Sequence, residues 1–131
     1  MRVMVDSNVL ISALVFKSKS LEQMLYDIVL KYSFVLTSGV INESLSTVKK
    51  KFPSGLLYIE SFFNSKFHEY VDTDKIDVRD VIIRDFKNKR ILSDAMIADI
   101  DILITGDNDF YDYEYEGLKI LRPAEFIKQY C

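Results

Sequence analysis

The sequence is poor in cysteine, histidine, proline and glycine, and it has no tryptophan. Its single cysteine, Cys131, excludes an internal disulfide and favours a reducing cytoplasm. Its single histidine, His68, falls in a predicted strand and leaves a serine–histidine catalytic triad without support. Two prolines and four glycines are too few for a low-complexity segment or an interdomain linker.

Long apolar runs are also absent. None approaches the ~18 residues that a membrane-spanning helix requires, so we expect no membrane association. The N-terminus has no basic region ahead of an apolar stretch, and we therefore expect no signal peptide. With 131 residues, 49% hydrophobic and 28% charged, the chain is typical of one globular domain over residues 1–131. The net charge of −3 does not favour nucleic-acid binding, although separate acidic and basic surfaces would still permit it.

Apolar strand-like segments alternate with helical patterns along the whole chain. Short apolar or β-branched runs predict five strands: Arg2–Val5, Ser33–Thr37, Phe67–Val71, Ile102–Thr105 and Lys119–Leu121. Helical spacing predicts six helices. The first runs from the Asp6 turn to about Val15, the second follows a Ser20 cap, and the third runs from a Ser38 cap to the lysines at 49–51. The fourth covers Ser54–Ser65, the fifth runs from Asp85 or Asn88 to Asp99, and the sixth covers Pro123–Tyr130. This alternation predicts an α/β fold, a three-layer α/β/α sandwich around a mostly parallel central sheet.

Acidic residues follow the predicted strands at the edge where ligands bind in open α/β sheets. Asp6 comes directly after the first strand, Asp107 follows the fourth through Gly106, and Glu43 lies in the first turns of the helix after the second. Each has an ordinary alternative: a helix cap for Asp6, a solvated helix surface for Glu43 and a plain turn for Asp107. Helix capping does not require three acids at the same end of one sheet, so the coincidence favours a shared site.

Three clustered carboxylates cannot all stay ionised without a cation. Oxygen ligands with no nearby histidine or cysteine favour Mg²⁺ or Mn²⁺ over zinc. Such a site polarises a phosphodiester and generates a hydroxide for in-line attack. The sequence therefore predicts metal-dependent phosphodiester hydrolysis at a site that gathers Asp6, Glu43 and Asp107.

Basic residues form two groups in the sequence that would hold a nucleic acid across the acidic site through its phosphates. These residues are Arg84, Lys87, Lys89 and Arg90, which surround Asn88, and Lys49, Lys50 and Lys51 at the end of the helix that carries Glu43. Ordinary helix-end and solvated surface charge is the alternative interpretation.

Motifs at both ends of the chain resemble those of the PIN-domain family. Asp6–Leu10 resembles the opening motif, Thr105–Phe110 the closing motif, and Ile120–Phe126 the usual last strand and helix. PIN domains are small α/β metal-dependent ribonucleases, and many are the toxins of bacterial toxin–antitoxin pairs (VapC-like ribonucleases). The resemblance implies these site residues: Asp6, Glu43 and Asp107 as catalytic residues and metal ligands, Asp109 close by, and Ser7, Asn8 and Thr105 as side chains that orient the ligands.

The chain departs from the family at the third acid, which normally stands three residues ahead of an apolar pair. Counting back from Ile91 and Leu92 places Asn88 there, and its amide oxygen can ligate a metal but adds no charge. Asp85 shares the Asn88 face if the helix extends that far, and it would then compensate. Asp94, the other candidate, lies about 240° further round the helix and points elsewhere unless the alignment shifts.

These patterns predict a Mg²⁺- or Mn²⁺-dependent endoribonuclease. The resemblance implies a toxin whose partners are RNA, an antitoxin protein and a second copy of the same chain. The alternative is a degenerate PIN domain in which Asn88, in place of the third acid, has abolished nuclease activity, so that the protein binds RNA or a protein partner without cleavage. A phosphorelay receiver fits the size and fold, but no strand in the middle of the chain ends in aspartate.

Overall fold

A computed structural model describes residues 1–74, 86–112 and 114–131, and of Phe86 and Lys87 it describes the backbone alone. Within these ranges the strands are β1 (Arg2–Val5), β2 (Ser33–Thr37), β3 (Glu69–Val71), β4 (Ile102–Ile104) and β5 (Lys119–Leu121). The α-helices there are α1 (Ser7–Leu14), α2 (Lys19–Lys31), α3 (Ser38–Lys51), α4 (Leu56–Phe63), α5 (Phe86–Ile97) and α6 (Pro123–Tyr130). Short 3-10 helices cover Pro53–Gly55 and Asn108–Tyr111. No helix of this described part has both the length and the apolar character to cross a bilayer.

The strands form one sheet in the order β3-β2-β1-β4-β5, and all of their pairings are parallel. From β1 the chain moves outward through β2 and β3 on one side, and it then returns to β4 and β5 on the other. The winding direction therefore reverses between β1 and β4. In open parallel sheets the crevice at such a reversal, outside the carboxyl ends of the strands, is where ligands bind.

The central strands are buried on both faces. Val3, Met4 and Val5 of β1 and Leu103 and Ile104 of β4 have no exposed surface, although consecutive side chains of a strand point to opposite faces. Helices must therefore cover the sheet on both sides, which confirms the predicted α/β/α sandwich. Each buried side chain of this size contributes roughly 1.5–3 kcal/mol, so the core holds the carboxyl edge of the sheet in place.

Three helices begin at residues other than those that the sequence pattern predicts, and one of them is α4, which begins at Leu56 after the 3-10 helix Pro53–Gly55 rather than at Ser54. α2 begins at Lys19, so its N-cap is Ser18 and not Ser20. α3 begins at Ser38 and is capped by Thr37, whose hydroxyl accepts a hydrogen bond from the Val40 N–H at 3.3 Å. The last residue of β2 is thus also the cap of α3, because the chain turns from strand to helix with no intervening residue.

Candidate functional site

Backbone hydrogen bonds extend the sheet one residue beyond β1 and β4. The Asp6 N–H donates to the Ile104 carbonyl at 2.9 Å, and the Thr105 N–H donates to the Leu121 carbonyl at 3.0 Å. The side chains of Asp6 and Thr105 are 3% and 0% exposed. Both are therefore fixed at the carboxyl edge, at the point where the winding of the sheet reverses.

The Asp6 carboxylate accepts a hydrogen bond at each of its oxygens. Oδ1 accepts from the Ser7 N–H at 2.7 Å, which caps α1, and Oδ2 accepts from the Thr105 hydroxyl at 2.8 Å. Burial raises the pKa of Asp6 above its ordinary value and the charge of Asp107 raises it further, while the hydrogen bonds from Thr105 and Ser7 oppose that rise. Asp6 therefore caps α1. Burial also makes its ionised form less favourable in free energy, and a nearby cation would remove that penalty.

The Asp107 side chain organises the turn after β4. Its Oδ1 accepts from the Asp109 N–H at 2.9 Å, and its backbone N–H donates to Thr105 Oγ1 at 3.1 Å. The Thr105 hydroxyl therefore accepts from Asp107 and donates to Asp6, so a single buried oxygen links the two acidic residues. The sequence pattern predicts both acids at this edge, and the structure places them around one hydroxyl.

Asn88 reaches the same site from α5. Its Nδ2 donates to Asp107 Oδ2 at 2.7 Å, and the residue is 7% exposed. An aspartate here would repel the Asp107 carboxylate, whereas the neutral amide stabilises it by donating a hydrogen bond. A half-turn of the amide about its last torsion exchanges the NH₂ group for the carbonyl oxygen, which is the atom that a hard cation would bind.

The remaining acids predicted for the site occupy different environments. Asp109 is half-buried in the 3-10 helix after Asp107, and Glu43 is half-buried in the second turn of α3. In residues 1–74, 86–112 and 114–131, no three His, Cys, Asp or Glu side chains form a group that could hold a metal ion. The assignment of Glu43 as a ligand alongside Asp6 and Asp107 stays a prediction, and Asp85 lies outside the described residues.

Asp94 lies in a separate buried network. Its carboxylate is 0% exposed, accepts from the Thr37 hydroxyl at 2.7 Å through Oδ2, and accepts from Arg90 Nε at 3.0 Å through Oδ1. Arg90 also donates to Asp74 Oδ1 at 3.0 Å and to Thr73 Oγ1 at 3.1 Å. Asp94 thus joins α5 to the beginning of α3, and Arg90 is neutralised by two carboxylates within the protein.

The other basic residues named from the sequence are distributed more widely. Lys49 and Lys50 are exposed near the end of α3, about 17 Å or more along the helix axis from its first residue at the carboxyl edge. Lys89 is half-buried in the first turn of α5, and Lys87 stands in the same turn. Arg84 lies outside the described residues. Their contact with RNA stays a prediction.

A surface cleft of about 360 Å³ opens beside the Asp107 turn. Its lining includes Asn8 and Ser12 of α1, Leu21 of α2, and Pro123 at the beginning of α6. Asn8 therefore borders this cleft, while Ser7 supports Asp6 directly. The cleft gives an extended ligand a path to the acidic edge of the sheet.

Arg122 is a residue at this edge that sequence reasoning missed. It precedes Pro123 as the N-cap of α6, a position that Ser, Thr, Asp or Asn usually occupies. An arginine at this N-cap position is the sequence feature that could have indicated a functional role for Arg122. Its neighbour Tyr111 donates from its hydroxyl to the Thr105 carbonyl at 2.7 Å, and burial raises the pKa of Tyr111 to about 12, so this donor stays protonated.

The chain matches one known protein family in sequence and a solved structure in fold. Residues 2–109 match the family described as the PIN domain. No protein with a curated description matches the chain in sequence. A similar solved structure is that of VapBC2 from Rickettsia felis bound to a DNA fragment from their promoter. One of its chains superposes with a TM-score of 0.70 at 18% identity, over 92% of this chain and 97% of that chain.

Proposed function

The chain belongs to the PIN-domain family, and from that premise we propose that it is a divalent-metal-dependent endoribonuclease that hydrolyses RNA phosphodiesters. The observation that carries the proposal is the joining of Asp6 and Asp107 through the Thr105 hydroxyl, at the reversal point of a parallel sheet. A site for an anionic substrate that is itself lined by carboxylates needs a cation between the two.

The side chains at this edge fit Mg²⁺ or Mn²⁺. Asp6, Asp107 and the amide oxygen of Asn88 are hard oxygen donors, and a carboxylate oxygen that accepts one hydrogen bond, as Asp6 Oδ2 does from Thr105, keeps a lone pair for a cation. We propose Glu43 and Asp109 as the further ligands, and their side chains would have to turn toward Asp6 and Asp107 when a metal binds, because the described acids form no three-acid group in this structure. A metal bound there would polarise the scissile phosphodiester and supply a hydroxide at neutral pH.

The protein's own groups hold these ligands in position. Thr105 and the Ser7 N–H fix the Asp6 carboxylate, while the Asp109 N–H fixes Asp107. Such supporting hydrogen bonds typically change metal affinity or activity 10–100-fold. Lys87 and Lys89, which flank Asn88 on α5, together with Arg84, Lys49 and Lys50, are the residues that we propose for RNA contact.

We assign the biological role of a toxin in a toxin–antitoxin pair to this chain. The fold shared with a chain of the VapBC2 structure supports this role, as does the match to the PIN-domain family. The partners that follow are an antitoxin protein, which would cover the acidic edge, and a second copy of the chain.

RNA cleavage by the purified chain tests the activity. We expect single-stranded RNA to be cleaved in millimolar Mn²⁺ or Mg²⁺ and to stay intact in excess EDTA. If RNA stays intact in Mn²⁺ but binds to the protein, the degenerate form of the family replaces the nuclease. The hydrogen bond from the neutral Asn88 to Asp107 is the observation that favours that second candidate.

Replacing Asn88 with aspartate is expected to raise cleavage at limiting Mn²⁺ about tenfold. The added charge strengthens attraction for the cation, and the loss of the Asn88–Asp107 hydrogen bond destabilises the metal-free protein. Cleavage and thermal unfolding, each measured across a Mn²⁺ titration, check both effects. Asn64→Asp, at the exposed C-cap of α4, is the matched control for added charge. Unchanged Mn²⁺ dependence in Asn88→Asp would place residue 88 outside the metal site.

A further inference from the structure

The Arg122 guanidinium is held firmly beside the Asp107 turn. Nη1 donates to the Gly106 carbonyl at 3.1 Å, and Nη2 donates to Asn108 Oδ1 at 2.7 Å, so the two acceptors flank Asp107 on either side. The guanidinium carbon also lies 4.3 Å from the centre of the Tyr111 ring. Two hydrogen bonds and a stacked ring restrict the side chain to one position, so little entropy remains to be lost when it binds a ligand.

The guanidinium of Arg122 forms no ion pair within the part of the chain that the structure describes, and the Glu125 carboxylate accepts a hydrogen bond from the Arg122 backbone N–H at 3.0 Å. Both hydrogen-bond acceptors of the guanidinium are uncharged, and none of the described carboxylates lies within ion-pair distance of it. The two other arginines in the described ranges differ in this respect, because Arg2 pairs with Glu69 and Arg90 pairs with Asp74 and Asp94. Arg122 is therefore a fixed cation whose charge is available to a ligand.

An anion is the ligand that this position fits. Gly106 and Pro123 line the cleft beside Asp107. The Gly106 carbonyl accepts a hydrogen bond from Arg122, and Pro123 follows Arg122 in the chain. A polyanion entering this cleft approaches the carboxylates of Asp6 and Asp107, which repel it. A guanidinium at the rim offsets that repulsion, and its planar array of donors matches the oxygens of a phosphate.

We propose that Arg122 binds a backbone phosphate of single-stranded RNA next to the phosphodiester that is cleaved, and that it thereby positions the substrate against Asp107. This inference rests on the proposed function and adds a substrate-positioning residue to it. Support of the turn alone does not account for the arginine equally well, because contacts from Thr105, Asp109 and Asn88 already hold Asp107.

Equilibrium binding of a fluorescently labelled single-stranded RNA, measured as a function of salt, tests the proposal without relying on cleavage. The measurement uses full-length chains that carry Asp6→Asn, so that the RNA remains intact. Against that background, Arg122→Gln is expected to weaken RNA binding about tenfold and to reduce the slope of log K against log salt by about one. Arg122→Lys is expected to keep the slope, because it keeps the charge.

Lys119→Gln is the matched control. Lys119 stands at the other end of β5, where its ammonium lies 5.6 Å from the centre of the Tyr130 ring, and we expect its removal to leave RNA binding and the salt slope unchanged. In chains with Asp6 intact, Arg122→Gln is expected to raise KM about tenfold with kcat within threefold.

The outcomes separate the inference from the proposed nuclease. Arg122→Gln with unchanged RNA affinity and salt slope, in a protein whose wild type cleaves RNA, overturns the inference alone. A wild type that does not cleave, but whose RNA binding depends on Arg122 as described, overturns the nuclease and leaves the phosphate contact supported. A lower melting temperature with an unchanged salt slope would make Arg122 a structural support for the turn, which also overturns the inference.

Discussion

Replacing Asp6 with asparagine is expected to abolish RNA cleavage and to stabilise the metal-free protein. Folding raises the pKa of Asp6, so the native state binds more protons at this residue than the unfolded state does, and stability falls as pH rises through that interval. At neutral pH the ionised carboxylate therefore costs free energy that an amide does not. Asparagine still caps α1, because its oxygen can accept from the Ser7 N–H.

RNA cleavage is expected to fall, whereas the stability of the metal-free protein is expected to rise. We expect cleavage to fall more than about 100-fold, since loss of a supporting group alone costs 10–100-fold at metal sites. We expect the melting temperature in EDTA to rise by about 3 °C, which corresponds to roughly 1 kcal/mol for a chain of this size. Wild type is expected to gain stability as Mn²⁺ is added, and the variant to gain little.

Thermal unfolding with and without Mn²⁺, combined with an RNA cleavage assay, checks this pattern. Asp99→Asn is the matched control, because it makes the same chemical change at an exposed residue between α5 and β4, away from the carboxyl edge. Asp99 has a positive φ of 53°, which asparagine also tolerates. A destabilised Asp6→Asn chain that still cleaves RNA would show that Asp6 is a helix cap and no more.

The positions of Asp6 and Asp107 could be predicted from the sequence because strand ends in a parallel sheet share one edge. An acid directly after an apolar run is therefore expected to lie at the carboxyl edge of the sheet in the folded protein. Asn88 could be located only through the resemblance to the PIN-domain family, since nothing in its local pattern indicates a contact with a residue 19 positions away. The shared Thr105 hydroxyl depends on side-chain geometry that periodicity does not record.

The residues that sequence reasoning placed less well take part in long-range polar contacts. Asp94 follows a helical pattern that predicts its direction away from Asn88, but the pattern does not identify Thr37 and Arg90 as its partners. The sequence predicts Thr37 at a strand end, and it also serves as the cap of α3 because the chain enters that helix directly. The sequence predicts that Arg90 contacts RNA, as a basic residue near Asn88, but in the structure it pairs with Asp94, four residues later on α5, and with Asp74 from outside that helix.

Replacing Gly39 with alanine is expected to destabilise the protein by about 3–5 kcal/mol, the usual cost of breaking a buried ion pair. A Cβ at residue 39 would lie well under 3.0 Å from Asp94 Oδ2 and 3.3 Å from Arg90 Nε. The Asp94 carboxylate cannot move aside easily, because it is fully buried and held by Thr37 and Arg90. Glycine at this position is therefore required by the close approach of the carboxylate to the first turn of α3.

Chemical denaturation of Gly39→Ala, Asp94→Ala and the double variant distinguishes this clash from the loss of helix or loop stability in general. Asp94→Ala removes the atoms that the new Cβ would meet, so the double variant is expected to be no less stable than Asp94→Ala alone. Gly106→Ala is the control for a glycine substitution, since a Cβ there would meet nothing within 4 Å, and we expect its free energy of unfolding to change by less than about 1 kcal/mol. If the two effects instead add, the close contact between Gly39 and Asp94 is not what makes residue 39 sensitive.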